Sequence, residues 1–274
     1  MGFSLAGGNG DSRWAAFAQR TDAYYERVAV ATRVAAATVA VPRWKRVLDL
    51  AFILVTLPFW LPLMLLVMGF IRLNSSGPIF YKQERLGHRG RRFMILKFRT
   101  MHVSAETRTH EDYFASLIHS DSPMTKLDAT GDSRLIPGAR FLRASGLDEL
   151  PQIFNVLRGE MSLVGPRPCL PSEFAHYEKW QQRRVNAPPG LTGYWQVNGK
   201  NKTTFNQMVF MDLFYIDKMS IWFDLRIILQ TIPVLASETI EALKRYRSRG
   251  ISRSVNVLPQ PVPALSSRNG THKK

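Results

Sequence analysis

The sequence predicts an α+β protein that is membrane-anchored through one kinked hydrophobic helix, with a mainly helical domain after it. The first observation is residues 47–71, which are almost continuously apolar and carry a single charge, at Asp49. The second is a pair of short strand-type segments that follow, and the third is helical periodicity over much of the remaining chain. Together they predict a membrane helix, a small strand element and several helices, some of them at the membrane interface.

The charge of the chain indicates an anionic partner. Of its 274 residues, 37 are Lys or Arg and 21 are Asp or Glu, so the formal net charge is +16. Such an excess suits nucleic acid, phospholipid headgroups or a phosphorylated substrate. The single cysteine, Cys169, excludes an internal disulfide framework and fits a reducing compartment. The sequence has no P-loop, no HExxH and no zinc-type Cys/His spacing, which excludes the enzymes that those motifs define.

The N-terminal segment, residues 1–42, is predicted to be flexible and then amphipathic. Its first residues are small and polar, and residues 14–41 are rich in alanine, with aromatic and arginine side chains that suit a helix on a surface. The apolar stretch at its end is too short to span a bilayer, and the segment lacks the pattern of a secretory signal.

Residues 43–73 form the predicted membrane helix. Basic residues flank the apolar stretch on both sides, so the positive-inside rule draws both of its ends toward the cytoplasm. Pro58 and Pro62 lie near its middle, where each removes a backbone hydrogen bond and favours a kink. We therefore expect a re-entrant helix that enters and leaves the membrane by the same face. A straight crossing is the alternative.

Residues 74–243 form the predicted cytoplasmic domain. Residues 78–87 and 91–101 are expected to be two strands or extended segments, which GHRG joins in a turn. The polar stretch 102–130 is expected to be a helix and a loop, and its histidines lack the spacing of a metal site.

The stretch LDELPQIFNVLRGEMSLVGPRP, residues 147–168, places two adjacent carboxylates just before a helical pattern. A buried helical face is predicted by apolar residues at three- and four-residue steps, namely Leu147, Leu150, Phe154 and Leu157. Pro151 suits a first turn, so the helix is expected to begin near Asp148, with Asp148 and Glu149 at the positive end of its dipole. Acidic residues there commonly only stabilise a helix, so position alone leaves a structural role and a catalytic role open.

Two turn-rich stretches carry further candidates. GPRP, residues 165–168, holds Arg167 between two prolines, and a guanidinium fixed in this way suits two-pronged recognition of phosphate. APPGLTGYWQVNGKN, residues 187–201, offers Gln196 and Asn198 for hydrogen bonds to a base or a sugar.

The C-terminal part of the chain combines interfacial helices with a tail. Residues 212–243 are mostly helical in pattern, with an interruption at Pro233, and Trp222 and Arg226 are typical of a helix at a membrane interface. A soluble amphipathic helix packed on the domain is the alternative. Residues 244–274 are predicted to be a basic, disordered tail that suits anionic headgroups.

In their order along the chain, these segments resemble the bacterial sugar transferases, the monotopic phosphoglycosyl transferases that start the assembly of surface polysaccharides. The resemblance covers roughly residues 43–237 and rests on KRVLDLAFI, GPIFYKQERLG, FMILKFRTM, GDSRLIPGARFLRASGLDELPQIFNVLRGEMSLVGPRP, PPGLTGYWQVNGKN and MDLFYIDKMSIWFDLRIILQTI. No long hydrophobic bundle precedes residue 43, which is similar to the short, exopolysaccharide-initiating form of the family.

The resemblance implies a reaction and a site. A UDP-sugar would donate its sugar-1-phosphate to undecaprenyl phosphate and release UMP at the cytoplasmic face of the bacterial inner membrane. The resemblance to the short form favours UDP-glucose or UDP-galactose as the donor. The catalytic Asp-Glu pair of the family falls on Asp148 and Glu149. Asp148 is implied to be the nucleophile that forms a covalent phosphosugar-enzyme, and both carboxylates are implied to be ligands of Mg²⁺.

The matching motifs also suggest which residues neutralise phosphate. The main candidates are Lys97, Arg99 and Arg167, and the secondary ones, for which a structural role is the alternative, are Gln83, Arg85 and Arg140. Two positions depart from the family pattern. Gly146 stands where the family usually has Ser, which is expected to weaken helix capping only modestly, and Leu61 stands where it often has Ser before Pro62.

Two other functional classes compete with this interpretation. A membrane-tethered nucleic-acid binder would also explain the charge, but the sequence lacks aromatic-interleaved basic platforms and a recognition helix, so nucleic acid is not expected as a partner. A non-enzymatic scaffold of polysaccharide export is the second alternative. The expected partners are a UDP-sugar, undecaprenyl phosphate and membrane phospholipid, and a homodimer is left open.

Overall fold

The computed structural model describes residues 41–102, 118, 122–124 and 134–255, and within them the protein is mainly helical with two small sheets. The α-helices are α1 (Arg43–Asn74), α2 (Ala139–Ala144), α3 (Ile153–Leu157), α4 (Pro171–Ala175), α5 (Lys179–Gln182), α6 (Tyr194–Asn198), α7 (Phe205–Lys218) and α8 (Ile221–Val255). The strands are β1 (Phe80–Leu86), β2 (Arg92–Phe98), β3 (Ser162–Val164) and β4 (Gly190–Thr192). Short 3₁₀ turns lie at His88–Gly90, Leu147–Gln152, Arg183–Asn186 and Lys200–Lys202.

The predicted helical domain with a small strand element is confirmed. Three predicted features lie outside the described residues: the N-terminal segment up to residue 40, most of the polar stretch 102–130, and the tail beyond residue 255.

Helix α1 is long and apolar enough to cross a membrane. It runs unbroken through Pro58 and Pro62, and its most apolar 18-residue window has a mean hydropathy of 2.4. Only 22% of that window is buried, whereas the core helix of a soluble protein would be mostly covered. The exposed apolar side chains of this helix are Val47, Leu50, Phe52, Leu54, Val55, Leu57, Phe59, Leu61, Leu63, Leu65, Leu66, Phe70 and Leu73. An uncovered apolar surface of this extent suits lipid.

One face of α1 packs against the domain. Its buried residues recur mostly at three- and four-residue steps and are Lys45, Asp49, Ile53, Trp60, Met64, Val67 and Ile71. Near the N-terminus of the helix, Asp49 Oδ1 accepts hydrogen bonds from Ser162 Oγ at 3.0 Å and from the Leu163 amide at 2.9 Å. The one charge within the apolar stretch therefore holds strand β3 against α1.

The two predicted strand segments are strands β1 and β2, which pair antiparallel in a hairpin. Phe80 pairs with Phe98 at one end and Leu86 with Arg92 at the other. Its turn contains Arg89 at φ 58° and Gly90 at φ 71°, so two successive left-handed residues reverse the chain. The hairpin carries Lys97 near its open end and Arg85 near its turn, and this arrangement separates the candidate phosphate ligands.

The stretch 187–201, predicted as turn-rich chain, contains regular structure. Strand β4 pairs in parallel with β3, in the register Ser162↔Gly190 and Val164↔Thr192, and helix α6 follows directly. A local sequence pattern could not predict this strand, because its hydrogen-bonding partner comes from a distant part of the chain.

The C-terminal helices are longer than predicted. Helix α8 continues through Pro233, where an interruption was expected, and runs to Val255, so it includes the first part of the stretch 244–274 that was predicted to be a disordered tail. The side chain of Pro233 is exposed, so the carbonyl that loses its backbone donor can be solvated. The exposed apolar residues of α8 include Trp222, at 81% exposure, as expected of an interfacial helix.

Candidate active site

Asp148 and Glu149 lie in the 3₁₀ turn Leu147–Gln152, directly before α3. The α-helix begins at Ile153 and not near Asp148 as predicted. Because it has only five residues, its dipole influences the pair Asp148–Glu149, called here the dyad, less than expected. Burial distinguishes the two carboxylates instead. Asp148 is 9% exposed, whereas the Glu149 side chain is 36% exposed.

Gly146 sets the direction in which the chain enters the dyad turn. It has a left-handed conformation, with φ 71°, between α2 and the 3₁₀ turn, and a Cβ atom there would lie 3.1 Å from a methyl carbon of Leu235. A side chain at this position would cost about 1–2 kcal/mol in backbone strain. The departure from the family pattern therefore concerns backbone conformation, and no side chain caps this turn.

Lys97 is brought directly to the dyad. Its Nζ lies 2.6 Å from Glu149 Oε1, and the two side chains are 25% and 36% exposed. A pair as exposed as this contributes little to stability, so its importance is positional. It places a cation beside the carboxylates.

Asn155 holds the dyad segment against the hairpin. It is fully buried, accepts a hydrogen bond from the Leu96 amide at 3.0 Å, and donates to the Met94 carbonyl at 2.8 Å and to Glu160 Oε2 at 2.7 Å. Its hydrogen bonds to β2 on both sides of Ile95 fix the register between α3 and the strand that carries Lys97.

The predicted buried face of this helical segment is wrong in part. Leu147, Leu150 and Phe154 are only partly buried, and Leu157 is 39% exposed. The buried side chains are instead Asp148, Pro151, Gln152, Ile153, Asn155 and Val156. The apolar face lies toward α1, where Phe154 meets Trp60 edge to face at 6.3 Å. Arg46, also on α1, donates hydrogen bonds to the carbonyls of Val156 and Leu157.

Arg167 belongs to a buried cluster of charges next to strand β3. Its Nη1 lies 3.2 Å from Glu173 Oε2. Burial by itself would raise the pKa of Glu173, but the guanidiniums of Arg167 and Arg85 outweigh burial and hold the pKa below its usual value. The predicted fixed guanidinium is therefore present, and a carboxylate orients it.

Arg184, for which no sequence motif predicted a role, holds the backbone of Arg167 in place. Its Nη2 donates to the Arg167 carbonyl at 3.1 Å and to Asp212 Oδ2 at 2.6 Å, and its Nη1 donates to the Tyr177 hydroxyl at 2.9 Å. Burial raises the pKa of Asp212 to about 6, although Arg184 opposes the rise. Asp212 forms a buried ion pair with Arg184, whose Nη2 lies 2.6 Å from Asp212 Oδ2.

Arg85 and Gln83 lie at this cluster and not at the dyad. Arg85 donates to the Pro168 carbonyl at 3.0 Å and to Gln83 Oε1 at 2.7 Å. In the hairpin Lys97 pairs with Tyr81, so Arg85 is four residues, or about 13 Å, further along β1. A substrate that contacts both ends of the hairpin must be extended.

Arg99 and Arg140 have no described contact with the dyad. Arg99 is 5% exposed, and it donates to the Pro78 carbonyl at 2.6 Å and to the Ser75 carbonyl at 3.4 Å, just after the end of α1. Its Nη1 is buried and has no hydrogen-bond partner within the described residues. Arg140 lies on α2 with an exposed side chain.

The two residues predicted to bind the nucleotide lie on the short helix α6 and separate there. Gln196 Oε1 is buried without a donor within the described residues and lies 2.5 Å from the position that a Cβ of Gly193 would take. Asn198 donates to the Tyr194 carbonyl at 2.9 Å and lines a cavity on the other side of the helix.

The motifs GPRP and PPGLTG meet backbone to backbone. A Cβ on Gly165 would lie 2.3 Å from the Pro188 carbonyl, and one on Gly190 would lie 2.1 Å from the Gly165 amide. No side chain fits at either position, so both must be glycine. This contact fixes the loop that carries Arg167 against the loop that leads to Gln196.

Several residues that hold the site together carry no recognisable signal in the sequence. Besides Asn155, Arg184 and Asp212, they include a buried network at the start of α1, in which Lys45 Nζ lies 2.6 Å from Asp224 Oδ2 and donates to the Tyr215 hydroxyl at 2.8 Å. Lys45 and Asp224 are 179 positions apart in the chain, and Arg184 and Asp212 are 28 apart. No short motif could pair them.

The two carboxylates of the dyad are the type of donor that Mg²⁺ takes when a substrate completes its coordination. Among the described residues no group of three or more His, Cys, Asp or Glu side chains could form an all-protein metal site. Mg²⁺, however, usually binds through one or two carboxylates together with phosphates of the substrate, and Asp148 with Glu149 supplies that donor set. The predicted ligands are therefore consistent with the chemistry of the ion.

We expect Arg167→Lys to lower catalytic efficiency although the substitution keeps the positive charge. The ammonium group of lysine cannot reproduce the two-pronged donation of a guanidinium that Glu173 and the flanking prolines orient. The loss of transition-state stabilisation should be about 2–3 kcal/mol, measured as a fall in kcat/KM. Arg158→Lys, at an exposed position, is the matched control. Near-normal kinetics for the Arg167 variant would mean that Arg167 is only structural.

This arrangement is typical of an enzyme that acts on phosphorylated substrates at a membrane surface. A carboxylate pair with an adjoining lysine lies next to a buried arginine cluster, and the same small domain packs on an apolar helix whose outer face is uncovered.

Comparison with known proteins identifies the family. The sequence model of the bacterial sugar transferases matches residues 41–238, and the chain belongs to this family. It is 37% identical over 191 residues to the exopolysaccharide production protein ExoY of Sinorhizobium fredii, which covers 70% of this chain and 84% of that protein.

Two further relatives carry names that state a reaction. A UDP-glucose:undecaprenyl-phosphate glucose-1-phosphate transferase of Caulobacter vibrioides is 40% identical over 208 residues, covering 72% of this chain and 71% of the relative. The galactosyl transferase CpsE of Streptococcus agalactiae is 40% identical over 163 residues, covering 59% of this chain and 35% of that longer protein. The predicted family membership is thus confirmed.

Proposed function

We propose that this protein transfers hexose-1-phosphate from a UDP-hexose, UDP-glucose or UDP-galactose, to undecaprenyl phosphate as the first membrane step of exopolysaccharide assembly. The observation that carries the proposal is the buried Asp148 beside Glu149, whose carboxylate is 2.6 Å from Lys97, in a domain packed on an exposed apolar helix. The names of the relatives support the substrate class.

The proposed reaction has two displacements at the same phosphorus atom. In the first, a carboxylate oxygen of Asp148 attacks the β-phosphorus of the UDP-hexose, the bond from that phosphorus to the bridging oxygen breaks, and UMP leaves with the electron pair. In the second, a phosphate oxygen of undecaprenyl phosphate attacks the same phosphorus, and the Asp148 carboxylate leaves. Covalent catalysis of this kind replaces one difficult step by two easier ones.

The environment of the two carboxylates supports Asp148 as the nucleophile. Glu149 is held by Lys97, whose positive charge makes its carboxylate less nucleophilic, whereas Asp148 is largely withdrawn from solvent. A poorly hydrated carboxylate loses fewer hydrogen bonds to water when it attacks.

Charge on the diphosphate of the donor would be met by Lys97, which is next to the dyad. Arg85 lies about 13 Å further along β1, so the cluster of Arg85 and Arg167 would face the far end of an extended nucleoside diphosphate sugar. Asp148 and Glu149 would hold Mg²⁺, which when bound neutralises the charge on the phosphates. Gln196, whose buried carbonyl adjoins the same loop, is the proposed partner of the nucleoside.

The proposed topology is a re-entrant helix in the bacterial inner membrane, with the domain at the cytoplasmic face. If α1 crossed the membrane, the domain would lie on one side of it, and the far end of α1 would be about 30 Å away from that domain. Yet Lys45 near one end pairs with Asp224, and Phe70 near the other end contacts Gly138 of the same domain. Between them Trp60, which lies between the two prolines, donates back to the Ile53 carbonyl at 3.0 Å.

Cysteine labelling tests this topology. Cys169 is replaced by Ala, and a single cysteine is then placed at Ser4 or at Ser266. Both variants should resist a membrane-impermeant thiol reagent in intact spheroplasts and react after lysis, because a re-entrant helix leaves both termini in the cytoplasm. Labelling at Ser4 before lysis would establish a straight crossing.

A substrate panel tests the reaction itself. Purified protein, undecaprenyl phosphate and Mg²⁺ are incubated with one UDP-sugar at a time, and released UMP and the lipid product are measured. With UDP-glucose or UDP-galactose, one molecule of UMP should be released for each molecule of lipid product formed. A folded protein that releases no UMP with any UDP-sugar would favour a non-enzymatic role in polysaccharide export.

A further inference from the structure

A cavity between α6, α7 and α8 lies outside the site described above. It has a volume of about 350 Å³ and is lined by Tyr194, Asn198, Phe214, Lys218, Ser220, Phe223, Arg226 and Gln230. None of the residues assigned to the dyad or to the arginine cluster lines it.

The lining of this cavity, called here the α6–α8 cavity, has a net positive charge. Lys218 and Arg226 contribute two cations, and no carboxylate is among the lining residues. Within the described part of the chain neither cation forms an ion pair. Asn198, Ser220 and Gln230, whose side chains carry hydrogen-bond donors, also line the cavity. This combination fits an anion with several acceptor oxygens, of which a phosphate group is the most common.

The other walls are aromatic. Tyr194, Phe214 and Phe223 contact one another, with ring centroids 5.3 Å apart for Tyr194 with each phenylalanine and 6.1 Å between the two phenylalanines. Arg226 lines the same cavity as this aromatic cluster. A ligand here would place a charged group and an apolar portion side by side.

The position of the α6–α8 cavity relates it to the membrane. Asp224, between the lining residues Phe223 and Arg226, pairs with Lys45 at 2.6 Å, and Lys45 lies just before the apolar stretch of α1. Trp222, adjacent in sequence to Phe223, is 81% exposed. Lys45 and Trp222 therefore place the cavity beside the N-terminal end of α1, the depth of phospholipid headgroups if α1 enters lipid there.

The α6–α8 cavity is separated from the dyad along α8. Leu235 of α8 contacts Gly146, two residues before Asp148, and Arg226 lies about 13 Å back along the axis of α8. The cavity therefore forms a site separate from the dyad.

We propose that the α6–α8 cavity binds the phosphate headgroup of an anionic membrane phospholipid, with Lys218 and Arg226 on the phosphate and the aromatic walls against the start of the acyl chains. This assigns Asn198 to the headgroup and not to the nucleotide. The proposal depends on membrane association and not on the proposed transfer reaction, so it can fail or hold independently of Asp148 chemistry.

Lipid binding to the purified full-length protein in detergent tests the proposal. Dioctanoylphosphatidylglycerol is titrated and adducts are counted by native mass spectrometry, with dioctanoylphosphatidylcholine as the zwitterionic comparison. The double variant Lys218→Gln/Arg226→Gln should bind phosphatidylglycerol at least about tenfold more weakly. Lys244→Gln, which removes an exposed charge from the same helix outside the cavity, should bind as the wild type does, and so should Asp148→Asn.

Competition separates lipid from other sources of phosphate. Phosphatidylglycerol binding should withstand an excess of inorganic phosphate and of UMP. Displacement by inorganic phosphate would overturn the lipid assignment in favour of a free anion site, and displacement by UMP that depends on Lys218 and Arg226 would make the cavity a nucleotide site. If the double variant and Lys244→Gln lose phosphatidylglycerol binding equally, the lipid binds through diffuse surface charge and not in the cavity.

Discussion

Asp148→Asn abolishes sugar-phosphate transfer if Asp148 is the nucleophile. The amide keeps the shape of the side chain but cannot form the acyl-phosphate bond, so kcat should fall by at least about a thousandfold, as it does when other enzymes lose a nucleophile. The direct measurement uses a UDP-sugar labelled in the β-phosphate with lipid acceptor withheld. The wild-type protein should retain label after denaturation, and the Asp148→Asn variant should retain none.

Two controls make the result specific. Addition of undecaprenyl phosphate to labelled wild-type protein should move the label into lipid, which establishes that the adduct lies on the reaction path. The melting temperature of the variant should remain near that of the wild type, since the amide keeps the volume of the side chain and exposes no core. Label that persists in the Asp148→Asn variant would place the nucleophile on another residue.

Glu149→Gln separates the second carboxylate from the first. The substitution removes the ion pair with Lys97 and one candidate Mg²⁺ ligand, so we expect a large loss of activity together with a higher Mg²⁺ concentration for half-maximal rate. The variant should still form some covalent adduct, because Asp148 is intact. An unchanged Mg²⁺ dependence would argue that Glu149 does not contact the ion.

Arg184→Met should cause the largest loss of stability among the substitutions considered. It leaves Asp212 as a buried carboxylate without its partner, where the two side chains are now 2% and 1% exposed. Removal of one member of a buried pair costs about 3–5 kcal/mol. In a domain of this size that corresponds to a fall in melting temperature of roughly 6–20 °C, measured by thermal unfolding in detergent.

The neighbouring residue offers a matched control. Arg183 is 3.8 Å from Asp217, with side chains 32% and 37% exposed, so Arg183→Met should cost less than about 1 kcal/mol. If both variants unfold at the same temperature, the buried pair does not hold the loop of Arg167. If Arg184→Met unfolds early but is fully active below its melting temperature, the positioning of Arg167 through its carbonyl is unimportant.

The features that the sequence predicted correctly are those with a local physical cause. The apolar stretch of α1 and the two strand segments joined by the GHRG turn depend on residues close together in the chain. The family motifs are also local, so the Asp148–Glu149 pair and the proximity of a lysine from FMILKFRTM could be inferred. The helix near Asp148 was misplaced by several residues because Pro151 is compatible with both a 3₁₀ turn and an α-helix, and neighbouring elements decide between them.

Only the tertiary structure decided which polar side chains are buried and which hydrogen-bond or ion-pair partners they have. Arg99 and Arg167 looked equivalent as basic residues in matching motifs, yet one holds the turn after α1 through backbone carbonyls and the other pairs with Glu173. The residues that position the site, Asn155 and Arg184, bond to partners that are 59 and 28 positions away. The free energy of a buried polar group depends on the partner that the whole fold brings to it, and a sequence pattern contains no term for that partner.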